Sequence, residues 1–162
     1  GIFDVSNVAK RLASTLARQL AYFVTIFSGM QMAADRPRFY EEVNPAAYEF
    51  IRHVPVNWEL TVPLLGKIGE YYVVARKDRT SEDWYIGGVT NEEVHRVRLN
   101  LDFLDESTQY TAEIYRDSDT AHYRDNQLGI VIETRKITKS DYLDLWMAPG
   151  GGFAVRIIKE IS

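Results

Sequence analysis

The 162 residues, 18.6 kDa, suit one large domain or one domain with part of another, and leave no room for several independent cores. With 46% hydrophobic and 26% charged residues the chain has a globular composition, which excludes wholesale disorder, collagen-like repeats and coiled coil. Nineteen basic against 23 acidic residues give a formal charge of −4 and a pI near 5.4, so the chain carries no basic footprint for nucleic acid.

Cysteine is absent, which removes a disulfide framework, a thiolate metal site and a cysteine nucleophile. Between Arg18 and Asp35 run 16 uncharged residues. Such a run is shorter than the roughly 20 residues that cross a bilayer, so it predicts a buried segment and no membrane partner. The opening residues from Gly1 show no basic stretch leading into a small-residue cleavage site, so no export signal is visible in them.

From Asp4, the expected N-cap, Val5, Val8, Leu12, Leu16, Leu20, Val24 and Phe27 recur at three- and four-residue steps. This spacing predicts a first helix whose later turns, with Ala21, Tyr22, Phe23 and Ile26, lose their polar face and demand deep cover. After Ser28-Gly29 the stretch at 30–34 predicts one buried strand closed by Asp35, Arg36 and Pro37. Asn44-Pro45 predicts an N-cap followed by proline at the first helical position, opening a helix with Ala47, Phe50, Ile51 and Val54 along one face until Pro55.

Beyond Asn57 the period changes to that of strands separated by turn residues. The predicted strands are Thr61 to Leu65, Ile68 to Lys77, Trp84 to Thr90, Val94 to Asp102, Tyr110 to Arg116, Ile130 to Thr138, Tyr142 to Met147 and Phe153 to Ile158. Val97, Leu99, Leu101 and Phe103 alternate with Arg96, Arg98, Asn100 and Asp102, the pattern of a sheet with one wet face. The fold class is therefore mainly β: an antiparallel β-sandwich over residues 58–162, preceded over 1–57 by a helix-strand-helix piece. The first part carries six basic and five acidic groups, the second thirteen and eighteen. Fifty-seven residues cannot cover both faces of a parallel strand, so the first part reads as the incomplete end of a (β/α)8 barrel, with Asp35 at the strand's carboxyl end.

The blocks LARQLAYFVTIFSGMQMAADRPRFYE, FIRHVPVNWE, IGEYYVVARKDRTSEDWYIGGVTNE, LDFL, YTAEIYRD and APGGG, in that order, resemble the C-terminal region of glycoside hydrolase family 97 over nearly the whole chain. Gly29 departs from the family block, which has proline there, and Met30 replaces leucine. The resemblance implies a parent α-glycosidase in which an N-terminal β-sandwich precedes a catalytic barrel and a smaller sandwich closes the chain. It implies hydrolysis of α-glucosides or α-galactosides in the parent, an oligosaccharide substrate, calcium near the active site, and a periplasmic or secreted location. It also implies that the catalytic carboxylates and calcium ligands lie upstream, so no catalytic or metal residue transfers to this chain, which alone is expected to be inactive. The sandwich is then a packing and oligomerisation module, with the rest of the barrel and a possible homo-oligomer as partners.

Two positions are candidates for substrate binding: Asp35, at the strand end, and Gln31, on the same side of the strand and facing the barrel interior on this reading. A capping or salt-bridge role for Asp35 with Arg36 or Arg38 is the alternative. Glycoside hydrolysis needs two carboxyl groups roughly 5 to 9.5 Å apart across the scissile bond. The adjacent pairs Glu41-Glu42 and Glu92-Glu93, assigned to loops, do not create that geometry and read as solvated charge. His53, His95 and His122 lack metal-ligand spacing. Asp117-Ser118-Asp119-Thr120 lacks the twelve-residue calcium loop and reads as a polar turn, while Gly150-Gly151-Gly152 after Pro149 reads as a hairpin turn. The alternative function is a carbohydrate-binding sandwich using surface aromatics, for which an exposed coplanar set such as Trp84 with Tyr72 would be the sign.

Overall fold

The computed structural model describes residues 14–25 and 37–161. The predicted strand at 30–34, with Gln31 and Asp35, and the early turns of the first helix lie outside these residues. The elements are α1 (Leu16–Thr25), α2 (Pro37–Val43), α3 (Pro45–His53), β1 (Trp58–Lys67), β2 (Tyr71–Asp78), β3 (Trp84–Thr90), β4 (His95–Asn100), β5 (Tyr110–Asp117), β6 (Ile130–Ile137), β7 (Tyr142–Met147) and β8 (Gly152–Lys159). No described helix is long and apolar enough to cross a membrane.

All eight predicted strands form, and the chain is mainly β as expected. The run predicted from Ile68 is shorter because Gly69, at φ +77°, turns the chain there; Ile68 stands at the tip of the β1–β2 turn. The helix α3 starts as its sequence dictates. Asn44 is extended at φ −154°, its Oδ1 accepts from the Ala47 amide at 3.0 Å, and Pro45 occupies the first helical position. The helix α2 was not expected. The sequence places Pro37 at the close of a strand, yet a proline serves equally as the opening residue of a helix, and here it does.

Six strands form one antiparallel sheet in the order β1-β2-β3-β8-β5-β6, and β4 pairs with β7 in a second sheet. Alternation divides the large sheet into two apolar faces. Val73, Ala75, Trp84, Ile86, Tyr110, Ala112, Ile114, Phe153, Val155 and Ile157 face the small sheet, whose Val97, Leu99, Leu143, Leu145 and Met147 complete the sandwich core. The intervening Val74, Tyr85, Tyr115 and Ala154 face outward and meet Leu16, Leu20, Phe23 and Val24 of α1 and Ala47 and Phe50 of α3. The wet face read from the alternation is the outer face of the small sheet, where β4 and β7 bury every second residue.

The cover demanded by the apolar surface of the first helix is thus supplied, over Leu16–Thr25, by the chain's own large sheet. A barrel piece would find this cover on parallel strands of the barrel. A β-sheet with apolar residues on both faces offers the same burial.

Candidate functional site

The loops and helix ends that join the helical layer to the sandwich hold the most constrained polar groups. Asp117 ends β5 and is fully buried, and its Oδ2 accepts hydrogen bonds from the amides of Ala148 (2.8 Å) and Gly152 (2.9 Å). Burial pushes its carboxyl up to about 6, against the opposing pull of the Thr15 hydroxyl, the two amides and the Arg18 guanidinium. The glycine run beside it links β7 in the small sheet to β8 in the large one, so it carries the chain between sheets and is not the hairpin turn expected. A side chain at Gly151 would overlap the Asp117 carboxylate, and Gly150 lies at φ +64°, which favours glycine. The triple glycine is therefore a packing requirement.

The same loop receives the start of α1. The Thr15 amide donates to Gly150 O at 3.3 Å and the Leu16 amide to Gln127 O at 2.7 Å. Arg18 donates from Nη1 to Thr90 O (2.7 Å) and from Nε to Tyr22 Oη (2.6 Å), while the Thr90 amide donates to Gly151 O at 3.0 Å. The bonds from the Thr15 and Leu16 amides satisfy donors at the helix start that have no partner within the helix.

At the other end of the helical layer, Tyr85 Oη donates to His53 O at 2.9 Å, at the close of α3. Beside it Arg156 donates from Nη1 to Glu113 Oε1 (3.1 Å) and has Nη2 3.8 Å from Asp83 Oδ2. Burial raises the Asp83 carboxyl above its ordinary value while Arg156 opposes that rise. Burial also pushes the phenols of Tyr85 and Tyr115 up to about 12, so both stay neutral; Tyr85 hydrogen-bonds through its hydroxyl and Tyr115 packs its ring against Phe50.

The residues considered from sequence are scattered. Glu41 and Glu42 are exposed on α2, a helix where a loop was expected; Glu92 and Glu93 are exposed between β3 and β4. His53 lies 3.6 Å from Glu49 on its own helix, His95 Nδ1 contacts Thr90 Oγ1 at 2.7 Å, and His122 stacks on Tyr123. The Trp84 and Tyr72 pair does not form a sugar platform: Trp84 is buried against Phe103 in the sandwich core, whereas Tyr72, next to Val73, points to the opposite face. Among the described residues no group of three or more His, Asp or Glu side chains is placed to hold a metal ion. Asp117, expected to open a polar turn, is instead the buried last residue of β5, and its role in holding the glycine run is what the sequence reading did not find. Its signal was an acid at the end of an otherwise apolar-alternating strand in a chain that also spends three successive glycines.

A two-sheet antiparallel sandwich, closed on the outer face of its larger sheet by helices and fastened to them by buried polar contacts, defines an accessory β domain built for packing. The chain belongs to the family described as Glycosyl-hydrolase 97 C-terminal, oligomerisation, which matches residues 57–158. It is 35% identical over 143 residues to a retaining alpha-galactosidase of Bacteroides thetaiotaomicron, and 29% identical over 142 residues to a probable retaining alpha-galactosidase of Streptomyces bingchenggensis. Each match covers 88% of this chain but 21% and 20% of those proteins, so the chain spans about a fifth of their length. Among solved structures it is similar to a Glycoside Hydrolase Family 97 enzyme from Pseudoalteromonas sp. strain K8, determined in complex with acarbose. That likeness has a TM-score of 0.86 and 40% identity, over 92% of this chain and 23% of that one.

Proposed function

We propose that this chain is the C-terminal portion of a family 97 α-glycosidase, in which the sandwich supports the catalytic barrel and takes part in self-assembly. The parent acts on α-glucosides or α-galactosides, and its catalytic carboxylates and calcium lie outside this chain. Residues 1–57 are the closing helix-strand-helix of the barrel, with Gln31 and Asp35 at its substrate rim, and residues 58–162 are the terminal sandwich.

The observation that carries this reading is the reach of the similarity. It runs through the helices as well as the sandwich, over 92% of this chain, yet takes in less than a quarter of the solved enzyme. The site geometry agrees. Hydrolysis requires a carboxyl that keeps its proton near neutral pH facing substrate opposite a second carboxylate. The strongly raised acid Asp117 is sealed from solvent and spends its oxygen on backbone amides. The described residues therefore provide packing and connection, and no step of the parent's chemistry is assigned to them.

Incubating the chain with nitrophenyl α-galactoside and nitrophenyl α-glucoside tests this directly. No release of nitrophenol above the uncatalysed rate is expected for either. Turnover that survives repurification and disappears on mutation of an acid of this chain would overturn the reading.

A further inference from the structure

Two strands cannot cover six. The small sheet lies over the large one with β7 against β5 and β8 and β4 towards β1, which leaves the core-side face of the edge strand β6 only partly covered. Glu133 of β6 is paired in register with Ile114, whose side chain is in the core, so Glu133 projects from that same side into the uncovered step. The step forms an open cleft of about 720 Å³. Three arginines, Arg96, Arg98 and Arg116, and three carboxylates, Asp119, Glu133 and Asp144, line it together with Trp146.

The polar groups are held in pairs. Arg98 donates from Nε to Asp144 Oδ1 (2.7 Å) and from Nη2 to Asp144 Oδ2 (3.2 Å), and Arg116 Nε donates to Glu133 Oε1 at 3.2 Å. Trp146, half-buried, stands across the ladder from Arg96. The formal charges in the cleft cancel, which favours neither a phosphate-bearing nor a cationic ligand. The forked pairs offer donors and acceptors that match adjacent hydroxyl groups, and the indole of Trp146, on the same face of the small sheet as the Arg98–Asp144 pair, adds an apolar surface to the lining. The volume falls within the range of small-molecule sites.

We propose that this cleft binds a neutral oligosaccharide, stacking a pyranose ring on Trp146 and hydrogen-bonding its hydroxyls to the Arg98–Asp144 and Arg116–Glu133 pairs. The site goes beyond the assembly role and does not depend on it, because it requires neither turnover nor a second subunit. It is a binding site and not a second hydrolytic centre: Arg98 holds the Asp144 carboxyl below its ordinary value, the wrong direction for a general acid.

The test is titration of the chain with maltotriose and with raffinose, read by calorimetry and by tryptophan fluorescence, alongside Trp146→Ala and Asp144→Asn. Asp144 is exposed, so its variant preserves the fold should the tryptophan truncation disturb it. Saturable binding of at least one sugar is expected, weakened about tenfold in each variant with an unchanged melting transition in Asp144→Asn. The absence of saturation on the order of 10 mM sugar, or equal affinity in wild type and both variants, would overturn the proposal. A fall in molecular mass on Trp146→Ala with no effect of sugar would overturn it too, and would give the cleft to a second copy of the chain.

Discussion

Asp117 gathers two backbone amides from the β7–β8 connection while shut off from solvent, so its charge state sets how favourably that loop is held. Its native value of about 6 lies above the ordinary 3.8, which means that the folded state binds the proton more tightly than the unfolded one. The contribution of this group to stability is therefore greatest near pH 4 and below, and is lost as pH rises through about 6. Asp117→Asn keeps an acceptor oxygen for the amides and removes the titration. The stability of wild type relative to Asp117→Asn should fall by up to about 3 kcal/mol between pH 4 and pH 7, measured by urea unfolding at each pH. A difference independent of pH would show that the carboxyl is not perturbed. Little of this was legible in the sequence, because Asp117 and the glycine run are brought together by a change of sheet that no local pattern encodes. Gln31 and Asp35 rest on resemblance to the family block and on the predicted strand, and the described residues do not reach them.

At the scale of elements, α1 lies unusually close to β3. A Cβ placed on Gly87 would come within 2.9 Å of Ala21 O, Thr25 Cγ2 and Val24 Cβ, so the absence of a side chain there is what lets the helix descend onto the sheet. Gly87→Ala should cost about 1–3 kcal/mol in denaturant unfolding, because backbone as well as side chains must yield. Phe50 anchors α3 in the same layer. It is fully buried, with ring centroids 5.9 Å from Tyr85 and 5.3 Å from Tyr115 in edge-to-face contact. Phe50→Ala should cost about 3–5 kcal/mol, and a loss below 1 kcal/mol would mean that the helix is not docked as described. The elements themselves were largely legible. Strand-like runs bounded by turn residues located every strand, several of them by period-two alternation, and Asn44-Pro45 located the start of α3. What escaped were cases in which one residue serves two purposes, such as Pro37, and the orientation of aromatic rings, since Trp84 and Tyr72 differ only in which side of a twice-covered sheet they face.

At the scale of the molecule, the large sheet is the shared wall of two apolar clusters, one with the small sheet and one with the helices. Helices and sandwich should therefore unfold together. Thermal unfolding followed by far-ultraviolet circular dichroism and by tryptophan fluorescence is expected to give coincident single transitions, whereas a separate early loss of helix would show that the outer layer is only loosely applied. The double burial had a trace in the sequence: β3 and β8 carry near-continuous runs of apolar and small residues where a sheet with one wet face would alternate. The identity of the second cover had none, because an amphipathic helix suits a barrel wall and a sandwich wall equally.

The central claim is that this chain serves by holding protein parts together, with the chemistry performed elsewhere in its parent. Sedimentation equilibrium over roughly a hundredfold range of protein concentration addresses it most directly. The expected result is a mass that rises with concentration from the 18.6 kDa protomer towards a defined multiple of it. A mass that stays at one protomer throughout would contradict it.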